Sequence, residues 1–389
     1  MTGTHAPADP VGFQVHTSSA GLAGDGRDDL TVVVSETPAG SSAVFTRSRF
    51  AGPSVLLSRE SARSGDTRGV VVLARNANVA TGPEGEAEAA EVRGRVAAAV
   101  GLPPERLLLA STGIIGVRYP MATLRPALDR LTWPFGGADF AAAARAIMTT
   151  DTRPKLARAR CGAASIVGIA KGVGMIAPDM ATLLGFFFTD ARLPRAGLDK
   201  TFRAVMARTF NAVSIDTDTS TSDTAAVIAN GRAGPVDATE FQHRLHQVAL
   251  DLTRQIARDG EGASKLIEVR VTGARDDAQA KRVARAIVDS PLVKTAVHGG
   301  DPNWGRVAMA IGKCQDDLDL RPERITIGFG DLEVYPHRPD AMALAALAAQ
   351  LAADEVVIRV GLAIADGSFT AYGCDLSEGY IRINASYST

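Results

Sequence analysis

The stretch KGVGMIAPDMATLLGFFFTDA, residues 171–191, sets a lysine and a Gly/Pro/Asp loop ahead of Thr182, which follows the small residue Ala181 and leads into an apolar run. Threonine is a weak nucleophile unless a base lies beside it, and one arrangement makes that base the residue's own α-amine. Thr182 gains a free amine only if the peptide bond after Ala181 is cut. Its hydroxyl can make that cut by attacking the preceding carbonyl, after which water hydrolyses the resulting ester. Ala181 leaves room for the attack, and a strained glycine and proline loop can hold the peptide in reach. The same residues also fit a plainer reading, in which Thr182 is a β-forming residue at the mouth of a strand.

Four further stretches are too polar for their surroundings: STGIIG (111–116), TTDTRPK (149–155), DTDTSTSDT (216–224) and HGGDPNWGR (298–306). The first reads as a strand end whose hydroxyls and backbone N–H groups can hold an oxyanion, or as an ordinary loop. The others read singly as caps and turns. Together, beside 171–190, they imply a polar pocket.

Other chemistries fit less well. His243 and His246 share a helix face but have no third ligand nearby, so a solvated face is preferred to a zinc site. DTDTS (216–220) opens like a calcium loop, yet Thr221 and Val227 stand where glycine and glutamate are needed. The glycine pairs 172/174 and 260/262 match neither the phosphate-loop nor the dinucleotide spacing, and no G-x-S-x-G is present. Cys161, Cys314 and Cys374 read as buried structural thiols, and their odd number argues against a disulfide framework and for a reducing compartment.

The elements that must position these groups alternate along the chain. TVVVS (31–35), SVLLS (54–58), 69–82, RLLLASTGIIG (106–116) breaking into a turn, and SIVGIAKGVG (165–174) read as strands. Helices are expected at 84–102, 138–148, 195–210, 240–262, 276–290 and 340–353, and strands at 265–273, in ITIGFGDLEVY and 355–376, and in the terminal YIRINASYST. The pattern is mixed α/β with antiparallel candidates rather than a regular βαβ series. Of 389 residues 46% are hydrophobic and the net charge is −1, which supports a large core and gives no support for a nucleic-acid or anionic-membrane partner. No signal peptide is recognisable, and no apolar run approaches the roughly 18 to 20 residues of a membrane span. A cytoplasmic location is expected.

KGVGMIAPDMATLLGFFFTDA resembles the signature of the ornithine acetyltransferase (glutamate N-acetyltransferase) family, in which a Lys-Gly-x-Gly-Met loop leads to Met-Ala-Thr and to self-cleavage before the threonine. ASTGIIG, IMTTDTRPK, TFNAVSIDTDTSTSDT, DGEGASKLIEVRVTGA, HGGDPNWGRVAMAIG and YIRINASYST resemble further family blocks in family order, so the resemblance covers essentially the whole chain. Within the family, the chain is most similar to paralogues of clavulanic-acid gene clusters. The resemblance implies a layered α-β-β-α arrangement akin to the N-terminal-nucleophile hydrolases, with a smaller C-terminal α/β lobe from about residue 270. It implies cleavage between Ala181 and Thr182 into an α chain 1–181 and a β chain 182–389, paired as α2β2. It also implies ping-pong transfer of acetyl from N-acetylornithine to glutamate, with no cofactor and no metal. By position, Thr182 is the nucleophile and Thr112 and Gly113 the oxyanion hole. Lys171 suits a substrate carboxylate or assistance to the nucleophile, Glu261 the ornithine side-chain ammonium, and Thr149, Asn384 and Thr389 substrate contacts, with Thr150 and Thr152 competing for the place of Thr149. Rival readings are a self-cleaving amidase or aminopeptidase on a related scaffold, and an inactive binding paralogue.

Overall fold

The computed structural model describes residues 8–22, 24–177, 183–337 and 339–386. Its strands form three sheets. The first runs in the order β1 (Phe13–Ser18), β2 (Leu30–Ser35), β4 (Gly69–Asn76) and β5 (Leu107–Ile114). The second is β3 (Gly40–Phe45), β10 (Thr224–Pro235), β8 (Leu184–Arg192), β7 (Ala164–Lys171) and β6 (Lys155–Cys161). The third is β13 (Leu332–Tyr335), β12 (Thr326–Phe329), β14 (Glu355–Gly361), β11 (Leu266–Ala274), β15 (Gly367–Cys374) and the short β9 (Val213–Ser214). Residue 270, the expected start of the C-terminal lobe, falls inside β11.

Near-continuous apolar strands such as Val70–Leu73 are what a sheet covered on both faces requires. Alternate residues then serve different cores. Val70, Val72, Leu108 and Ala110 of the first sheet meet Val167, Ile169, Phe186, Phe188 and Ile228 of the second. Val71, Leu73, Leu107 and Leu109 turn the other way, onto α2 (Gly82–Ala99) and α3 (Met121–Asp129). On the outer face of the second sheet, Phe187 packs at 5.9 Å from Phe202 of α5 (Arg195–Arg208), beside the apolar stripe Phe241, Leu245, Val248, Leu252 and Ile256 of α6 (Ala238–Arg258). The three phenylalanines 186–188 thus bind both sides of one sheet, and the layering is α-β-β-α. Helix α4 (Phe140–Ala146), capped by Asp139, closes the sandwich with Phe140 at 5.2 Å from Phe188. The third sheet is flanked by α7 (Asp277–Val288), α8 (Pro291–His298), α9 (Trp304–Gly312) and α10 (Ala341–Leu351), and shares a core with α6.

The expected strand 69–82 ends at Asn76, and Gly82 starts α2; two further segments change element type altogether. SVLLS does not form a strand; it lies in α1 (Pro53–Ala62). Pro53 starts the helix, and Ser54, Val55, Ser58 and Ser61 form its buried face at helical spacing. Ser58 Oγ donates to the Leu109 carbonyl and accepts from the Leu109 N–H, both at 2.7 Å, so small serines rather than leucines face the sheet. YIRINASYST is not a strand either: Glu378–Ser386 is helix α11. Both edges of β15 are already taken, by β11 and β9, so the chain leaving Cys374 has no adjoining ladder. Ile381 and Ile383 face solvent, while Tyr380 and Asn384, one turn apart, share a face.

Candidate active site

Strand ends from both sandwiched sheets converge on one place. β5 carries Ser111, Thr112 and Gly113 inside the strand rather than in a turn beyond it, opposite a bulge at Arg75 and Asn76 of β4. Gly113 has φ 132°, and a Cβ there would lie 2.1 Å from the Arg75 carbonyl carbon, so only glycine fits this crossing. β7 ends at Lys171, which pairs with Leu184 across the antiparallel ladder. Leu184 lies two residues beyond Thr182. Helix α6 stops before Gly260, and the Glu261 N–H donates to the Val173 carbonyl at 2.8 Å, which seats Glu261 against the 172–175 loop.

Thr112, Gly113, Thr149, Thr150, Lys171, Gly174, Ser220, Thr221, Ser222, Glu261 and Asn384 line one cavity of about 100 Å³. Of the sequence-predicted residues, Thr112, Gly113, Thr149, Lys171, Glu261 and Asn384 are therefore brought together. Ala181, Thr182 and Thr389 lie outside the described residues. Three of the four polar stretches named above contribute to the lining. HGGDPNWGR does not: His298 Nδ1 sits 2.7 Å from Asp375 Oδ2, and Asn303 caps α9.

Hydrogen bonds fix the charged groups. Lys171 Nζ donates to Thr112 Oγ1 at 3.0 Å, which leaves the Thr112 hydroxyl hydrogen for another acceptor. Loss of water pushes the Lys171 ammonium below the ordinary lysine range, against the opposing pull of Asp151 and Asp223. Glu261 is held on both oxygens, Oε1 by the Thr150 hydroxyl at 3.0 Å and Oε2 by Asn384 Nδ2 at 2.9 Å. Gly174 permits this packing, since a Cβ there would stand 2.4 Å from Glu261 Oε2. Thr149 donates its backbone N–H to Asp151 Oδ2 at 3.0 Å, whereas Thr152 bonds Asp259 outside the cavity. A cation and a carboxylate in one small chamber suit a small zwitterion.

Sequence reasoning missed the support beneath this chamber. Asp151 Oδ1 accepts from the Gly172 N–H at 2.8 Å and from Lys155 Nζ at 2.7 Å. Lys155, 1% exposed, also reaches Asp259 Oδ2 at 2.6 Å. Burial raises the Asp151 pKa, but the ammonium groups of Lys155 and Lys171 and the Gly172 N–H outweigh it and hold the carboxyl below its usual range. The charge density of TTDTRPK was the available signal. Removing a shared buried cation leaves carboxylates uncompensated, which typically costs about 3 to 5 kcal/mol. Lys155→Met should therefore lower the urea midpoint strongly; an unchanged midpoint would mean that the triad contributes nothing to stability.

Among the described residues no group of three or more His, Cys, Asp or Glu side chains could hold a metal ion, and no helix is long and apolar enough to cross a membrane. Cys161 and Cys374 are buried and Cys314 half-buried, all unbridged, and burial pushes all three thiols up.

A family model described as the ArgJ family matches residues 14–389. The glutamate N-acetyltransferase Oat2 of Streptomyces clavuligerus is 66% identical over 388 residues, covering 98% of this chain and 99% of its own. The arginine biosynthesis bifunctional protein ArgJ of Rhodococcoides fascians is 54% identical over 386 residues, with 98% and 95% covered. A crystal structure of the arginine biosynthesis bifunctional protein ArgJ from Bacillus halodurans aligns over 51% of this chain and 96% of that one, at 42% identity and a TM-score of 0.48.

Proposed function

The chain belongs to the ArgJ family, and from that premise we propose that it is a self-processing acetyltransferase carrying the acetyl group of N-acetylornithine to glutamate through an acetyl ester on Thr182. The observation that carries the reading is the gathering of Thr112, Gly113, Lys171, Glu261 and Asn384 in one chamber, in a chain 66% identical to a protein named glutamate N-acetyltransferase.

In the processing step the Thr182 hydroxyl attacks the Ala181 carbonyl carbon, and the acyl group passes from nitrogen to oxygen. Water then hydrolyses the ester, leaving a carboxylate on Ala181 and a free amine and hydroxyl on Thr182. The fragments 1–181 and 182–389 stay together, because β8 and β10 of the second lie between β3 and β7 of the first in one sheet. They pair further as α2β2, in the cytoplasm.

In transfer, the Thr182 hydroxyl adds to the acetyl carbonyl while the α-amine takes its proton. That proton goes to the departing ornithine nitrogen as the C–N bond breaks. Thr112 and Gly113 stabilise the oxyanion. Lys171 faces the substrate carboxylate and Glu261 the donor's side-chain ammonium, with Thr149, Asn384 and Thr389 as further contacts. Glutamate then attacks the ester with its amine, and the threonine oxygen recovers a proton. No metal or cofactor takes part.

The test is incubation with N-acetylornithine alone, followed by the denatured mass of the fragment that begins at residue 182. One added acetyl group, discharged by glutamate as N-acetylglutamate, is the expected result. Acetate released without glutamate, and no faster with it, would replace this reading by an amidase. An unchanged mass with no acetate released would replace it by a binding protein.

A further inference from the structure

We propose that the segment from Ser214 to Thr224 clamps both flanks of the bond between residues 181 and 182, and that Asp216 is the positioning residue on the upstream side. The inference rests on the self-processing reading above and adds a residue to it. Asp216 lies in the polar stretch DTDTSTSDT, which no step described so far uses.

Upstream, the Met175 N–H donates to Asp216 Oδ2 at 2.6 Å and the Ile176 N–H to Asp216 Oδ1 at 2.8 Å. The neighbouring Ile215 N–H closes the arrangement on the Ile176 carbonyl at 2.9 Å. Met175 has φ 54°, a left-handed conformation that a side-chain-bearing residue keeps only when its surroundings impose it. Here the two N–H bonds to one carboxylate impose it. Hydrogen bonds to an ionised acceptor are about twice as strong as neutral ones. The Asp218 N–H adds a longer bond to Asp216 Oδ1 at 3.3 Å, and burial raises the Asp216 pKa against the pull of these three N–H groups. The Tyr380 hydroxyl, 3.4 Å from Asp216 Oδ2, ties the same point to α11.

Downstream, the Thr224 N–H donates to the Leu183 carbonyl at 3.1 Å, and Thr224 is the first rung of β10 against Leu184 of β8. One short segment therefore fixes residue 176 on one side and residue 183 on the other. Attack of a hydroxyl on the preceding carbonyl needs the two atoms held roughly 3 to 3.5 Å apart in a set direction. A peptide tethered at both ends has fewer conformations to lose on reaching that geometry. Asp216 itself does not line the chamber that holds Thr112, Lys171 and Glu261, although Met175, whose N–H it accepts, does. Its effect is expected to fall more heavily on processing than on substrate binding.

The experiment follows the splitting of freshly translated full-length chain on denaturing gels for the parent, D216A and D216N. Losing hydrogen bonds to a charged group is expected to slow splitting by about 10- to 100-fold in D216A. D216N keeps one carbonyl oxygen as acceptor and should fall between. Once fully split, D216N should bind N-acetylornithine with KM within about twofold of the parent, the split between KM and processing that a non-lining residue requires. Unfolding midpoints of D216N and its parent, each in a Thr182→Ala background, separate positioning from folding. Splitting of both variants at the parent rate overturns the proposal, and so does slow splitting accompanied by a clearly lower midpoint. A parent chain that never splits would instead remove the self-processing reading on which the inference stands.

Discussion

Thr182→Ala is expected to leave the 389-residue chain in one piece and to abolish acetyl transfer at the same time. Both losses follow from one atom in the proposed mechanism: there the Thr182 hydroxyl is the attacking group in processing and again in transfer, and its α-amine exists only after processing. In enzymes that work through a covalent intermediate, deletion of the nucleophile costs on the order of 10⁶-fold in kcat, and loss of the free amine removes the base as well. Thr182→Ser keeps a hydroxyl and should retain both reactions at reduced rate. Denatured mass and single-turnover acetylation measure the two effects independently. A Thr182→Ala preparation from protease-deficient cells that arrives as two fragments would assign the cut to another agent and detach it from the chemistry.

Much of the architecture is legible because burial on both faces leaves an unambiguous trace. Runs such as Val70–Leu73 and Phe186–Phe188 admit few solutions other than inner strands of stacked sheets, and α6 declares itself by its buried stripe at helical spacing. The failures are of two physical kinds. SVLLS carries apolar residues of strand type, yet its fold is decided by Pro53 and by serines that hydrogen-bond β5, a tertiary contact invisible in a local window. YIRINASYST alternates like a strand, but a strand needs a partner, and β15 has none to offer. Polar stretches at loop ends pointed to a pocket and the family resemblance named the residues, six of which do meet in one chamber. What local reading could not supply is the second layer. Asp151, Lys155 and Asp216 matter through atoms far away in sequence: Gly172, Asp259 and the Met175 and Ile176 amides. A polar stretch announces that such bonds exist without saying where they end.

The other large effect concerns the oxyanion. Lys171 Nζ donates to Thr112 Oγ1 at 3.0 Å, so the Thr112 hydroxyl cannot donate back along that line and its hydrogen is available to an acceptor in the chamber. Gly113 follows at φ 132°, against the Arg75 carbonyl carbon, which holds this end of β5 in one backbone conformation. A donor fixed in a water-poor pocket contributes most when charge develops on the carbonyl oxygen, and removing one such donor typically costs about 10²- to 10³-fold, or roughly 3 to 4 kcal/mol. Thr112→Val keeps the branched shape within the strand and removes the O–H, so turnover should fall by about that factor while KM for N-acetylornithine changes little. The same substitution takes from Lys171 its hydroxyl acceptor but neither Asp151 nor Asp223, whose pull on the ammonium remains. On the proposed assignment, carboxylate recognition is thereby kept while oxyanion stabilisation is lost. Near-normal turnover with a raised KM would reverse that assignment and make Thr112 a substrate contact.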